Sequence, residues 1–567
     1  MSDGSMEFDF IVVGAGSSGC ALAGRLSEDP GSSVLLLEAG PPDDSFWIHL
    51  PIGYGKTMWS DRVNWRFETE PEPAMGDRKL YWPRGKTLGG SSSINGLIYI
   101  RGQREDYDHW AALGNPGWGF DDVLPYFRRA EDNARGASEF HGAGGPLKVS
   151  NIDRRNELID AFIAGAEQIG VPPSDDFNGA TQEGVGYYQL NTHRGWRYSA
   201  AKAYLKPARK RANLRVETEA QAAGLVFADG EKRVIGVRYR QGGQLKTATC
   251  RAEVLLAAGA VQSPQLLELS GIGSAAALAG HGVALRHELA GVGENLQDHL
   301  QVRLTFECAK PITTNDDLNS LFGRARIGLQ WLLRREGPLA VGINQGGCFM
   351  RALKDGDGRP VAATPDIQFH VATLSADMAG GKVHAHSGFT FSVCQLRPES
   401  RGSIHLKSAD PFQAPAIRAN YLATDLDRRT MLAGVQAARD IAAAPAMRPL
   451  IKREYAPGDG IRGEAALLEF CRGKAQTIFH PVGTAKMGPA SDPGAVVDAR
   501  LRVHGVAGLR VVDCSVMPTL VSGNTHAPAV MIAEKAVDMI HEDRRRDRGR
   551  ATEAAATTAA EARAATV

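Results

Sequence analysis

The string Gly14-Ala15-Gly16-Ser17-Ser18-Gly19 constrains this chain more than any other feature. It follows a short apolar run, Phe8 to Val13, rich in β-branched residues, and leads into CALAGRLSED, which has the pattern of a helix. A second apolar run, SVLLLEAG at 33–40, then delivers Glu38. Together they make a β-α-β unit of about thirty residues, the start of a doubly wound sheet. Gly14 permits the tight turn, Gly16 lets a pyrophosphate approach the backbone, and Gly19 lets the helix pack on the strand. Unpaired N–H groups at the helix N-terminus face the pyrophosphate. Glu38 accepts hydrogen bonds from the ribose hydroxyls. Ser17, Ser18 and Ala39 flank these positions and are counted with them as cofactor-binding residues. The pattern predicts a dinucleotide and does not choose between FAD and NAD; a glycine turn without a ligand is the competing reading.

Further along, residues 45–83 are rich in Pro, Trp and Met without a clear period, as in an extended loop over a site. Residues 105–210 mix helical patterns with polar loops. From 213 to 257 short alternating runs separated by Asp-Gly and Gly-Gly turns predict an antiparallel meander. AEVLLAAGAVQSPQLLELSGIG returns from strand to helix, IQFHVATL and FTFSVCQLRP are strand-like, and GLRVVDCSVMP is a last strand before a helix through APAVMIAEKAVDMI. Nucleotide-type patterns thus occur near both ends and in the middle. Two discontinuous domains explain this better than a string of separate ones. One gathers 6–45, 84–104, 215–300 and 475–542; the other, with lid segments, takes 46–83, 105–214 and 301–474. Residues 543–567 lack large apolar side chains and are expected to be a disordered tail.

Composition excludes several classes. Hydrophobic residues make up 43% and charged residues 23% of the chain, as in soluble globular proteins. A formal net charge of +1 gives no global field for nucleic acid or an anionic membrane. The seven cysteines are scattered, odd in number and form no C-x-x-C, which argues against a disulfide framework or a zinc site. A reducing, cytoplasmic setting is the default. No run approaches the ~20 apolar residues of a membrane span, and the first residues lack a signal-peptide pattern. A homo-oligomer is compatible with all of this.

Four further strings decide the cofactor. GKTLGGSSSIN at 85–95, GAVQSPQLLELSGIG at 259–273, HPVGTAKMG at 480–488 and VVDCSVMPTLVSGNTHAPAVMIAEK at 511–535 resemble the glucose–methanol–choline (GMC) oxidoreductases. The likeness runs from about residue 7 to 540, in the family's order. It implies an α/β fold, α+β overall: a Rossmann-like FAD-binding domain and a substrate domain built on an antiparallel sheet with helices. It places Arg84, Gly89, Gly90, Ser91, Asn95 and Gly96 in a loop against the flavin and pyrophosphate, Ala222 at the adenine, and Asp513 and Gly483 in cofactor-contacting segments. Where some members attach FAD through a histidine this chain has Ile94, so FAD is expected to be non-covalent. No metal is implied.

The resemblance also singles out His480 and His526 among 15 histidines. Oxidising an alcohol removes an O–H proton and a C–H hydride. The flavin N5 takes the hydride and a neutral imidazole takes the proton, while a second group holds the oxygen. His480 is expected as base and His526 as positioning group. Tyr99, Asn344, His370 and Phe479 are weaker candidates for the pocket, and the Ala376–His386 loop reads as a gate or a surface excursion. The expected partners are a small alcohol, foremost a primary one giving an aldehyde, and an electron acceptor or oxygen. An alcohol oxidase making peroxide, another flavin reaction, and a flavin scaffold without turnover remain alternatives.

Overall fold

The computed structural model describes residues 6–564 except 153 and 379. The strand Met6–Val13 (β1) and the helix Ser17–Leu26 (α1) are followed by the strand Val34–Leu37 (β2), which is wholly buried. β2 pairs parallel with β1, and Leu214–Glu217 pairs parallel with β2 on its other side. The long strand Gln244–Leu256 runs parallel to β1 and carries Leu509–Val511, also parallel, at its far end. Val234–Gln241 and Gln221–Phe227 complete this seven-stranded sheet as an antiparallel extension. The expected meander is therefore real for 221–256, whereas Leu214–Glu217 belongs to the parallel part. Local alternation shows that a segment is a strand and does not name its neighbour.

A second seven-stranded sheet contains Gly184–Tyr187, Asn344–Met350, Ile367–Ala372, Gly388–Gln395, Leu300–Cys308 and Ile451–Ala456 in that spatial order. Its neighbouring strands are antiparallel. Gln476–Thr477 also pairs with Leu300–Cys308, so this short piece joins the second sheet and not the cofactor segments with which the sequence grouped it. Each sheet has its own apolar cluster, one around β1, β2 and Val254–Leu256, the other around Val302, Phe369 and Phe391.

The helix His526–Ala564 closes the chain. Ser18 Oγ donates to the Ala529 carbonyl at 2.8 Å, tying this helix to α1. Glu534, fully buried, accepts from Arg25 Nε (3.0 Å), Arg129 Nε (2.8 Å) and Tyr204 Oη (2.7 Å). These contacts fix where the first residue, His526, stands. The segment 543–567, expected to be disordered, instead continues this helix through Ala564, with 565–567 outside the described residues. Asp543 accepts from Arg500 and Arg510, and Arg544 Nη1 donates to Ser32 Oγ at 2.8 Å, so its beginning is docked by charge and not by apolar packing. Among the described residues no helix is long and apolar enough to cross a membrane.

Candidate active site

Both sheets contribute to one cavity of about 1160 Å³. That exceeds the ~300–1,000 Å³ of a pocket for a single small ligand, which suits a cofactor and a substrate together. At one end lie Gly14, Gly16, Ser17, Ser18, Glu38, Ala39 and Ala222; further in come Arg84, Gly90, Ser91, Ile94, Asn95, Gly96 and Asp513.

The glycines differ in what they do. Gly14 has φ +98°, and a Cβ there would stand 2.6 Å from the Ala257 carbonyl oxygen. A Cβ on Gly19 would overlap the Gly14 carbonyl. Both are needed for the turn itself, and Gly19 does not line the cavity. Gly16 has only the Ala257 oxygen, 3.9 Å from where its Cβ would be. The space above it is open, as a cradle for phosphate requires. Gly90 approaches within 2.7 Å of the Gly16 Cα by the same measure, and Gly89 N donates to the Ala15 carbonyl at 2.8 Å. The two loops therefore touch, with Gly89 as the joint behind the cavity wall.

Glu38 accepts from Ala15 N and Gly40 N, both at 2.9 Å, one to each oxygen. Each oxygen keeps a lone pair for another donor. Burial pushes its pKa up to about 7, against the lowering effect of these two amides. Asp513 lines the cavity, yet Gly259 N, Ser263 Oγ, Ser515 N and Ser515 Oγ occupy its carboxylate. It anchors the start of the helix Gly259–Leu269. Arg84 donates through Nη2 to the Phe479 carbonyl at 2.6 Å. Asn95 is gripped by Arg197, which donates to its side-chain oxygen (2.6 Å) and its carbonyl (2.7 Å). Arg197 was not singled out from sequence.

His480 and His526 both line the cavity. His480 is held by its backbone and by its ring. Its N–H donates to Asp298 Oδ1 at 2.7 Å, and the residue before it, Phe479, takes a left-handed φ of +71° fixed by Thr477 Oγ1 and Arg84. Such strain survives only where the surroundings over-determine it. His480 Nδ1 lies 3.0 Å from His299 Nδ1, whose own Nε2 lies 2.9 Å from the Leu396 carbonyl. A carbonyl only accepts, so His299 carries its proton on Nε2 and offers Nδ1 as a lone pair. His480 must then donate from Nδ1, which leaves its Nε2 bare. Asn524 Nδ2 donates to that Nε2 at 3.2 Å. Burial, and the neighbouring histidines and Arg84, hold the His480 pKa well below the ordinary 6.5. Burial brings His299 down to about 4. Both rings are neutral at pH 7, as the tautomer argument needs.

His526 Nδ1 is 2.8 Å from Ser17 Oγ, a group able to donate or accept, while its buried Nε2 has no partner. Burial lowers its pKa to about 4. His370, 1% exposed and lining the cavity, has both ring nitrogens unpartnered. Asn344 and Phe479 also line it; Tyr99 does not, being packed behind the wall where Arg101 Nε reaches its hydroxyl at 3.3 Å. Met378 and Gly380–Val383, from the expected gate loop, line the mouth. His299, Asn524 and Asp298 were missed from sequence, because nothing local links 298–299 to a residue 181 positions later.

Two family models, both described as GMC oxidoreductase, match residues 8–301 and 398–533. Alcohol dehydrogenase [acceptor] of Pseudomonas putida is 43% identical over 539 residues, covering 94% of this chain and 95% of the relative. Mitochondrial choline dehydrogenase of Homo sapiens is 42% identical, covering 95% and 90%. Among solved structures, pyridoxine 4-oxidase from Mesorbium loti superposes with a TM-score of 0.84 at 30% identity, over 94% of this chain and 99% of that one. A variant of formate oxidase from Aspergillus oryzae RIB40 gives 0.89 at 27% identity, over 96% and 99%. This chain belongs to the GMC oxidoreductase family and is an FAD-dependent oxidoreductase acting on CH–OH donors.

Proposed function

We propose that this chain oxidises a primary alcohol to the aldehyde with non-covalently bound FAD, His480 taking the hydroxyl proton. The observation that carries the reading is the unprotonated Nε2 of His480 in the cavity wall, its tautomer set by the His299–Leu396 relay and its lone pair met by the Asn524 amide. The open space above Gly16, the two free lone pairs of Glu38 and the aliphatic Ile94 fit FAD held without a covalent bond. When bound, FAD supplies the hydride acceptor.

The residues do the rest. A neutral Nε2 accepts the alcohol O–H in place of the Asn524 amide N–H, which is then free to donate to the substrate oxygen. When His480 becomes an imidazolium, its Nδ1–H remains bonded to His299, so the new charge is met by a fixed acceptor and not by reorganising solvent. For His526 to hold the substrate oxygen, Ser17 Oγ donates to its Nδ1, which leaves the ring proton on the unpaired Nε2 in the same cavity. The relatives' names divide between an unspecified acceptor and oxygen, and running the assay with oxygen and with an artificial acceptor addresses that choice.

The test is anaerobic single-turnover reduction of the flavin by a panel of alcohols. His480→Ala should retain FAD and reduce it slower by roughly two to four orders of magnitude, the range for losing a general base. His526→Asn should be milder than His526→Ala, because an amide still donates. Both alanine variants reducing flavin at the wild-type rate would overturn the assignment. Acid precipitation should release all FAD; a pellet that stays yellow after washing would contradict non-covalent binding.

A further inference from the structure

The second sheet has one apolar and one polar face. Along Leu300–Cys308, Val302, Leu304 and Phe306 enter the core, and the intervening Gln301 and Arg303 line the cavity. The next strands follow: Phe389, Phe391 and Val393 are core while Thr390 and Ser392 line the cavity, and Phe369 and Val371 are core while His370 and Ala372 line it. Side chains alternate along a strand, so the register decides which cavity residues meet. Arg303 stands opposite Ser392, and Ser392 opposite His370. The three form a row across the cavity floor, running from Arg303 to the histidine whose charge state is coupled to His480.

Arg303 has no place in the proton chemistry. Among the described residues it makes no hydrogen bond or ion pair, and its Nε is buried without a partner. The ionisable groups within its electrostatic reach, Tyr54 and His370, are uncharged at pH 7. The carboxylates lining the cavity, Glu38 and Asp513, belong to its cofactor part and are bound by backbone amides. Lys56, Arg324 and Lys382 add further cations to the lining. The guanidinium stays charged, half-buried with its Nε shut off from solvent, so an anion entering the cavity would find an unpaired cation there. Its planar fork matches a carboxylate in bidentate fashion.

We propose that the substrate is a hydroxy acid, whose carboxylate binds Arg303 while its hydroxyl lies at His480. This rests on the alcohol-oxidation reading of the same cavity. It sets the chain apart from a relative named for choline, since an unpaired guanidinium in the substrate part of the cavity repels a quaternary ammonium and attracts a carboxylate.

The test has two arms on the holoenzyme. In the first, anaerobic flavin reduction by 4-hydroxybutyrate and 6-hydroxyhexanoate is compared with 1-butanol, 1-hexanol and choline. At least one hydroxy acid should exceed its matched alkanol in kcat/KM, and Arg303→Gln should lower that ratio by roughly 30- to 1000-fold, as for truncating one partner of a buried charge pair. Arg303→Lys, which keeps the charge, should restore part of it. In the second, butyrate and hexanoate, which have no hydroxyl to oxidise, are titrated against the flavin spectrum; binding should disappear in Arg303→Gln. Alkanols matching hydroxy acids, with no carboxylate binding, overturns the proposal and leaves alcohol oxidation standing. Arg303-dependent carboxylate binding with no alcohol turned over supports the anion subsite and sinks alcohol oxidation instead. Loss of FAD from Arg303→Gln would make Arg303 a cofactor anchor and overturn the proposal.

Discussion

The role proposed for His480 as a base rests on what its neighbours cannot do. The Leu396 carbonyl cannot donate, and that one fact passes through His299 to fix which nitrogen of His480 carries hydrogen. Burial then keeps the ring neutral. A base whose pKa is lowered is deprotonated above that value and is lost only as pH falls through it. The rate constant for flavin reduction should therefore be flat from neutral to alkaline pH and decline only well below 6.5. A kinetic pKa at or above 6.5 in stopped-flow reduction would contradict this. At this scale the sequence was half legible. His480 and His526 stand in motif strings, and both line the cavity. Asn524 stands in the same string as His526 but shows its part only through its contact with His480, while His299 and Arg303 act through a distant partner or a face that appears only once strands are in register.

At the scale of the element, the first β-α-β unit shows how glycines in one motif separate into roles. The sequence assigns Gly14 to the turn and Gly16 to the pyrophosphate, and Gly14 is at positive φ against backbone while Gly16 is an open N-cap with φ −76°. Gly16→Val should leave a folded, colourless protein, because the added side chain occupies the cradle. Gly14→Val should fail to fold or lose several degrees of thermal stability, since it is strained whatever the ligand. Circular dichroism with flavin absorbance separates the outcomes, and equal FAD content in Gly16→Val and wild type would place the pyrophosphate elsewhere. This unit was legible because its turn, helix and strand are adjacent in sequence. The tail misled because few large apolar residues argued for disorder, whereas Asp543 and Arg544 dock the helix by charge.

At the scale of the whole molecule, the cavity is walled by both sheets, so a bound cofactor touches two separate cores. A ligand that binds only the folded state stabilises it by mass action, about 2.7 kcal/mol at a hundredfold excess over Kd. Stripping FAD should lower Tm, and adding it back should restore Tm in a concentration-dependent way. A Tm unchanged by removal would mean that the pocket walls hold themselves together unaided.

The interleaving of segments also sets an order in time. β1 is made about 500 residues before Leu509–Val511, which extends its sheet, and before His526, which faces its glycine turn. At about 5–20 residues per second, synthesis of this chain takes roughly half a minute to two minutes. For most of that period the glycine turn exists without the histidine pair, so on the proposed roles a nascent chain that captures its cofactor early cannot yet reduce it.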